Sequence, residues 1–316
     1  MNNKKVAILF PGQGSQAVGM GKDLFENFKS AKDVFLEVDE ILKYKLSQII
    51  FDGPSEELIK TQNTQPALMA VSIALVKILE KEYNQKFSQL CSFSAGHSLG
   101  EYSALCASEA LSLKDTSKLL EIRGQAMAKC GEKTQGAMSA ILGVEIEVAQ
   151  EIVKEASQGE VCQVANDNSV GQIVISGSVG AIARANEIAK LKGAKRALTL
   201  PVSGAFHSKL MFEAQEIMIQ ALKNIEIKKP SVSIIANVCA DIVDDPKIIA
   251  VRLGEQITAS VRWRETMLKL EQLGVDTVIE IGSGKVLCGL ATRTCPNLKT
   301  ISLQNCVDLT NFINNQ

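Results

Sequence analysis

Apolar and polar positions alternate in two rhythms along this chain, and the rhythms change partway. "KKVAILF" (residues 4–10) is an unbroken apolar run closed by the Gly-rich turn "PGQGSQ". A run of that length, bounded by a turn, predicts a strand buried on both faces, as in a parallel sheet. Residues 21–46 carry a helical period. "SEELIKTQNTQPALMAVSIALVKILEKEY" (55–83) predicts two helices separated at Pro66, because an interior proline removes one backbone donor and crowds the preceding turn. "SQLCSFSAG" is the next strand and "LGEYSALCASEAL" the helix after it. Strand, helices, strand, helix is the order of a parallel sheet.

From residue 133 the pattern becomes strand "GAMSAILG", helix "EIEVAQEIVKEAS", strands "EVCQVANDN" and "GQIVISGS", helix "VGAIARANEIAKLKG" and strand "AKRALTLPVS". That is βαββαβ, a split βαβ or ferredoxin-like unit. The first rhythm then resumes with helix "SKLMFEAQEIMIQALKNI", strand "VSIIANV", helix "RWRETMLKLEQLG" and strand "DTVIEIG". The expected organisation is an α/β large domain over residues 1–132 and 205–316, with a ferredoxin-like subdomain inserted at 133–204. No repeat or low-complexity linker interrupts it.

Composition narrows the function classes. The 316 residues are 46% hydrophobic and 22% charged, with a net charge of −1, so bulk charge draws the chain to neither nucleic acid nor an anionic membrane. The apolar stretch 67–76 stops at Lys77, about half of the roughly 20 residues that a membrane span needs. The chain enters a strand almost at once, which leaves no room for a leader. Eight scattered cysteines without a CxxC pair, and only two histidines, fit free thiols in a reducing cytoplasm and no zinc site.

The candidate chemistry sits in "SAGHSLGEY" (94–102). Gly96-His97-Ser98-Leu99-Gly100 fits G-x-S-x-G between an expected strand and an expected helix, the setting in which the pattern marks a nucleophile. Ser98 needs a base. His97 leaves the turn in another direction and is expected to pack beneath it, so elimination leaves His207, in "SGAFHSKLM". Hydrolase triads place an acidic residue between serine and histidine in the chain. Asp115 and Asp167 lie in that interval, neither at a convincing strand end. The amide of Leu99, at a helix N-terminus, faces where an oxyanion would form. "GQGSQA" (12–17) matches G-x-G-x-x-A but lacks the acidic residue that a dinucleotide site needs about 20 positions on. It reads as a loop supplying a second oxyanion donor, the Gln13 amide, or as a plain tight turn. A nucleotide-binding module is the rival reading of that loop. "GSGK" (282–285) fails as a Walker loop because Ile279 stands where the first glycine belongs. The single tryptophan, Trp263, is expected in the core.

The ordered set "FPGQGSQAVGMG", "TQNTQPAL", "GHSLGEYSAL", "IRGQAM", "VANDNSVGQIVISG", "AKRALTLPVS", "AFHSKLM", "VRW" and "EIGSGKVLCGL" resembles the malonyl-CoA:acyl-carrier-protein transacylases of type II fatty-acid synthesis, from Val6 to beyond Leu290. The resemblance implies an α/β-hydrolase-like domain with a ferredoxin-like insert, acylation at Ser98 with His207 as base, and oxyanion donors at Gln13 and Leu99. It also implies that Arg123 pairs with the malonyl carboxylate, that the Gln256 carbonyl orients the histidine, and that Asn168 and Phe206 line the substrate site. A fixed, bidentate cation suits a carboxylate. Where the family usually has proline before "VRW", this chain has Ser260. The implied reaction needs no metal or redox cofactor. Its partners are malonyl-CoA and holo-acyl carrier protein, and the enzyme is expected to be a cytoplasmic monomer. A serine esterase or thioesterase, or an acyltransferase of a polyketide pathway, is the alternative.

Overall fold

The computed structural model describes residues 5–202 and 204–315. Residues 1–4, 203 and 316 lie outside the described residues, and with them the beginning of the first expected strand, the end of "AKRALTLPVS" and the reading of the N-terminus as leaderless.

Among the described residues ten strands form two sheets: β1 Lys5–Phe10, β2 Phe93–Gly96, β3 Gly136–Leu142, β4 Cys162–Ser169, β5 Gln172–Ser178, β6 Arg196–Thr199, β7 Ser233–Ala236, β8 Asp241–Ile242, β9 Val275–Ile281 and β10 Lys299–Leu303. The larger sheet runs β10-β9-β1-β2-β7-β8, with every pairing parallel except that of the edge strand β8. Its central strand β1 shows why its apolar run is unbroken. Ile8 and Phe10 belong to the main core, while Ala7 and Leu9 pack with Trp263, Met267 and Leu290 on the other face. A strand covered on both sides has no polar position to alternate with. Trp263 is fully buried, as its place in the sequence led us to expect.

The smaller sheet runs β4-β5-β3-β6 and is antiparallel throughout, the strand order of the ferredoxin-like unit. Its period-two alternation separates two jobs. Ile141, Ile173 and Ile175 face the helices Ile146–Ser157 and Val179–Leu191. The intervening Met138, Ala140 and Val174 face a pocket between the two sheets. The sheets are tied beside that pocket. An isolated parallel bridge joins Asn166 to Val261, Gln163 Nε2 donates to the carbonyls of His207 and Thr258, and Arg264 pairs with Asp167 at 2.9 Å.

Several expected elements differ in detail. The helical zone 21–46 is two helices, Lys22–Asn27 and Lys29–Leu42, parted at Phe28, whose backbone is extended. Pro66 does not break its helix. The break falls at Lys60, after the short helix Ser55–Ile59, and Thr61–Lys81 runs through the proline. Pro66 is the sixth residue of that helix, and the single intrahelical bond it forgoes would have gone to the Gln62 carbonyl in the first turn. The helix Pro246–Glu255 and the edge strands β8 and β10 are additions to the sequence reading.

Candidate active site

The site is built at the C-terminal ends of β1 and β2. Between β2 and the helix Gly100–Ala107 the chain turns at Ser98 with φ of +53°, a left-handed conformation costly for a side-chain-bearing residue. Neighbouring glycines make the turn possible. A Cβ on Gly96 would lie 1.9 Å from the Gly100 carbonyl, and one on Gly100 would lie 2.3 Å from the Phe10 carbonyl oxygen. Asn237, just past β7, holds the turn. Its Oδ1 accepts from the Ser98 amide at 2.8 Å, and its Nδ2 donates to the Gly96 carbonyl at 2.7 Å.

The Ser98 hydroxyl lies 2.8 Å from His207 Nε2. His207 Nδ1 lies 2.9 Å from the carbonyl oxygen of Gln256, the C-cap of Pro246–Glu255. A carbonyl only accepts, so Nδ1 carries the proton and Nε2 is free to accept the serine's. Burial, and then the charge of Arg123, pull His207 down to about 3, which keeps the imidazole neutral at working pH. The turn carrying Ser260 in place of proline still delivers the Gln256 carbonyl, because Val261 is hydrogen-bonded into β4 on both sides. No acidic residue takes that position. Asp115 caps the helix Leu113–Thr134 with Ser112, and Asp167 is occupied by Arg264. His97 is held elsewhere, with Nε2 donating to Asn168 Oδ1 at 2.8 Å and its ring 5.4 Å from that of Trp263.

Arg123 is 1% exposed. Its Nη2 donates to Ser98 Oγ at 3.0 Å and to Gln256 Oε1 at 2.9 Å, and its Nη1 donates to Gln65 Oε1 at 2.7 Å. The next residue, Gly124, lets the helices touch, since a Cβ there would lie 2.5 Å from the Cα of Gln62. From Gln65 the bonds continue through Thr61 Oγ1 to Gln13 Oε1, at 2.9 and 3.0 Å. Gln13 therefore sits beside the elbow, with Gly12 packed against the His97 carbonyl. Leu99 occupies the N-cap of Gly100–Ala107, where helix N–H groups lack intrahelical partners.

Ser98, His207, Arg123, Gln13 and Leu99 open into a pocket of about 290 Å³, lined also by Asn168, Phe206, Met127, Leu200 and Leu290. It can bring a carbonyl carbon to a serine oxygen and a carboxylate to an arginine in one enclosure. Among the described residues, no cluster of three or more His, Cys, Asp or Glu side chains could hold a metal ion.

Comparison with known proteins fits this geometry. The model of the acyl transferase domain family matches residues 8–308. A malonyl CoA-acyl carrier protein transacylase of Bacillus subtilis is 47% identical over 302 residues, covering 95% of this chain and 94% of its own. The chain belongs to the malonyl-CoA:acyl-carrier-protein transacylase family. The acyl-carrier-protein S-malonyltransferase of Bartonella henselae has the same fold, with a TM-score of 0.95, 46% identity and 98% of each chain covered. So has a malonyl-transacylase solved in complex with a type II polyketide acyl-carrier protein, with a TM-score of 0.94, 37% identity, and 99% of this chain and 100% of that one covered.

Seven of the eight residues expected at the site line its pocket, and the eighth, Gln256, reaches it through His207 and Arg123. Sequence reasoning did not single out Gln65, Glu101, Asn237 or Thr61. Gln65 and Thr61 lie in "TQNTQPAL" and Glu101 in "GHSLGEYSAL", stretches that carried the resemblance without a role attached to these residues. Asn237 follows an ordinary apolar strand, with no local signal.

Proposed function

We propose that Ser98 carries a malonyl group from malonyl-CoA to the pantetheine thiol of an acyl carrier protein, supplying malonyl-carrier protein to fatty-acid synthesis. One observation supports this most: the hydroxyl that faces the His207 imidazole at 2.8 Å also faces the buried Arg123 guanidinium at 3.0 Å. Nucleophile and carboxylate receptor share one enclosure.

His207 Nε2 takes the Ser98 proton as Oγ attacks the thioester carbonyl. The Leu99 and Gln13 amides hold the oxyanion. The C–S bond breaks, and the imidazolium returns its proton to the departing CoA sulfur. The pantetheine thiol then gives a proton to His207 and attacks the malonyl-serine ester, and the imidazolium protonates Oγ as serine leaves. Arg123 exchanges its contact with Ser98 Oγ for the malonyl carboxylate, a pairing that acetyl lacks. Asn168 and Phe206 shape the acyl end of the pocket. This sequence consumes no metal or redox equivalent, and every group in it comes from one chain, so a monomer suffices. Among the described residues no helix is long and apolar enough to cross a membrane, and we place the reaction in the cytoplasm.

The test is to incubate the protein with radiolabelled malonyl-CoA, map the label, and add holo-acyl carrier protein. Label on Ser98 that moves to the carrier is expected, and none in Ser98→Ala. Label at another residue in Ser98→Ala would overturn the assignment. Release as free malonate in place of transfer would identify a hydrolase.

A further inference from the structure

Glu101 is 3% exposed, in the first turn of the helix Gly100–Ala107, and takes no part in the steps above. Its Oε2 accepts from Gln256 Nε2 at 2.8 Å and from the Asn237 amide at 3.1 Å. Those two residues hold the rest of the site. Gln256 presents its carbonyl to His207 Nδ1, its Oε1 to Arg123 Nη2 and its Nε2 to the Ser98 carbonyl. Asn237 clasps the left-handed turn at Ser98 from both sides.

We propose that Glu101 is a positioning residue for acyl transfer, fixing through Gln256 and Asn237 the orientation of the base, the arginine and the nucleophile together. This rests on the acyl-transfer reading of Ser98. Oε2 faces two donors, so it accepts whether or not Oε1 carries a proton. It therefore draws the Gln256 NH₂ toward itself and leaves Oε1 facing the guanidinium. Turned the other way, the amide would set its donors against those of Arg123. When ionised, Glu101 also supplies negative charge near Arg123 without occupying it, because the Gln256 amide stands between them. The guanidinium thus keeps N–H groups for an incoming carboxylate. Burial pushes the Glu101 carboxyl up to about 7, and the Asn237 and Gln256 donors and the charge of Arg123 pull it back. Tyr102, also packed against Arg123, is pushed up to about 12 by burial and stays neutral.

The experiment measures acyl-enzyme formation and steady-state transfer with malonyl-CoA and acetyl-CoA in wild type, Glu101→Ala and Glu101→Gln, alongside thermal unfolding. Glu101→Ala leaves two buried donors unpaired and is expected to lower kcat roughly 10- to 100-fold on both substrates, and to raise KM for malonyl-CoA alone. Glu101→Gln keeps an acceptor for both donors and is expected to lose only about threefold. A folded Glu101→Ala with wild-type kcat and KM overturns the proposal, as does a folded Glu101→Gln as slow as the alanine variant. Should the alanine variant not fold, the glutamine change is made in a Gln256→Ala background. Its effect on kcat is expected to vanish there, and an unchanged factor overturns the proposal. Wild type that forms no malonyl-serine would instead refute the functional reading of the site.

Discussion

His207 is the proposed base for Ser98, and its surroundings differ from those of a histidine backed by a carboxylate. A carboxylate would stabilise the imidazolium. Here a neutral carbonyl faces Nδ1, Arg123 stands close, and the ring is 4% exposed. Its value of about 3 lies below the roughly 6.5 of an unfolded chain. Between those values the unfolded state binds a proton that the folded state refuses, so this group's contribution to stability is lost as pH falls below about 6.5. Glu101, raised to about 7, acts in the opposite direction, which makes comparison with a variant necessary. Urea unfolding at pH 7.5 and pH 5 is expected to show wild type losing roughly 2 kcal/mol more on acidification than His207→Gln. Equal losses would mean that the ring is not held neutral. That His207 and not His97 would face Ser98 was legible in the chain, because only two histidines existed and one was part of the elbow. Asn237 was not legible, since its contacts reach 139 and 141 residues back to the elbow.

The elbow is an element before it is a site: β2, a turn at positive φ, and the helix Gly100–Ala107. Its glycines are contact requirements. Gly96→Ala would drive a methyl group into the Gly100 carbonyl, separating strand from helix. A loss of about 1–3 kcal/mol in urea unfolding is expected, with acyl-enzyme formation slowed by roughly 100-fold as Ser98 shifts relative to His207. Wild-type labelling in that variant would refute the steric account. The pattern G-x-S-x-G made this element readable, because the constraint is local. Pro66 misled for a related reason. Its rule concerns a helix interior, and the position of the helix start at Lys60 is set by packing. Thr61 through Leu79 are buried almost without exception, against the helices Lys29–Leu42 and Leu113–Thr134 among others.

At the scale of the molecule the site is a seam. The larger sheet contributes Ser98, and the smaller sheet contributes Met138, Ala140, Val174 and Asn168 to the opposite wall. The seam is joined where β4 meets the segment leading into the helix Trp263–Gln272, and Arg264 and Asp167 lie there at side-chain exposures of 23% and 4%. Burial raises the Asp167 carboxyl and Arg264 opposes the rise. Arg264→Met removes the partner and leaves a buried carboxyl uncompensated. The expected cost is about 3 kcal/mol by urea unfolding, largely recovered when Asp167→Asn is added. Additive losses in the double variant would show that the pair is not coupled.

Short-range patterns carried much of this protein. The all-apolar β1, the βαββαβ order, the Gly-flanked serine and the scarcity of histidine each follow from constraints acting within a few residues or from composition, and a linear sequence records those directly. The tertiary structure decided what stands opposite what. It set the carbonyl of Gln256, which only the resemblance had named, against His207 Nδ1, and gave Asp115 and Asp167 other partners. It ran hydrogen bonds from Arg123 through Gln65 and Thr61 to Gln13, and buried Glu101 beneath the elbow. Apart from the local Gln65–Thr61 and Ser112–Asp115 bonds, those contacts join positions 48 to 155 residues apart. Their geometry exists only once both sheets are packed, because a hydrogen bond depends on angstrom-scale placement that no spacing along the chain encodes.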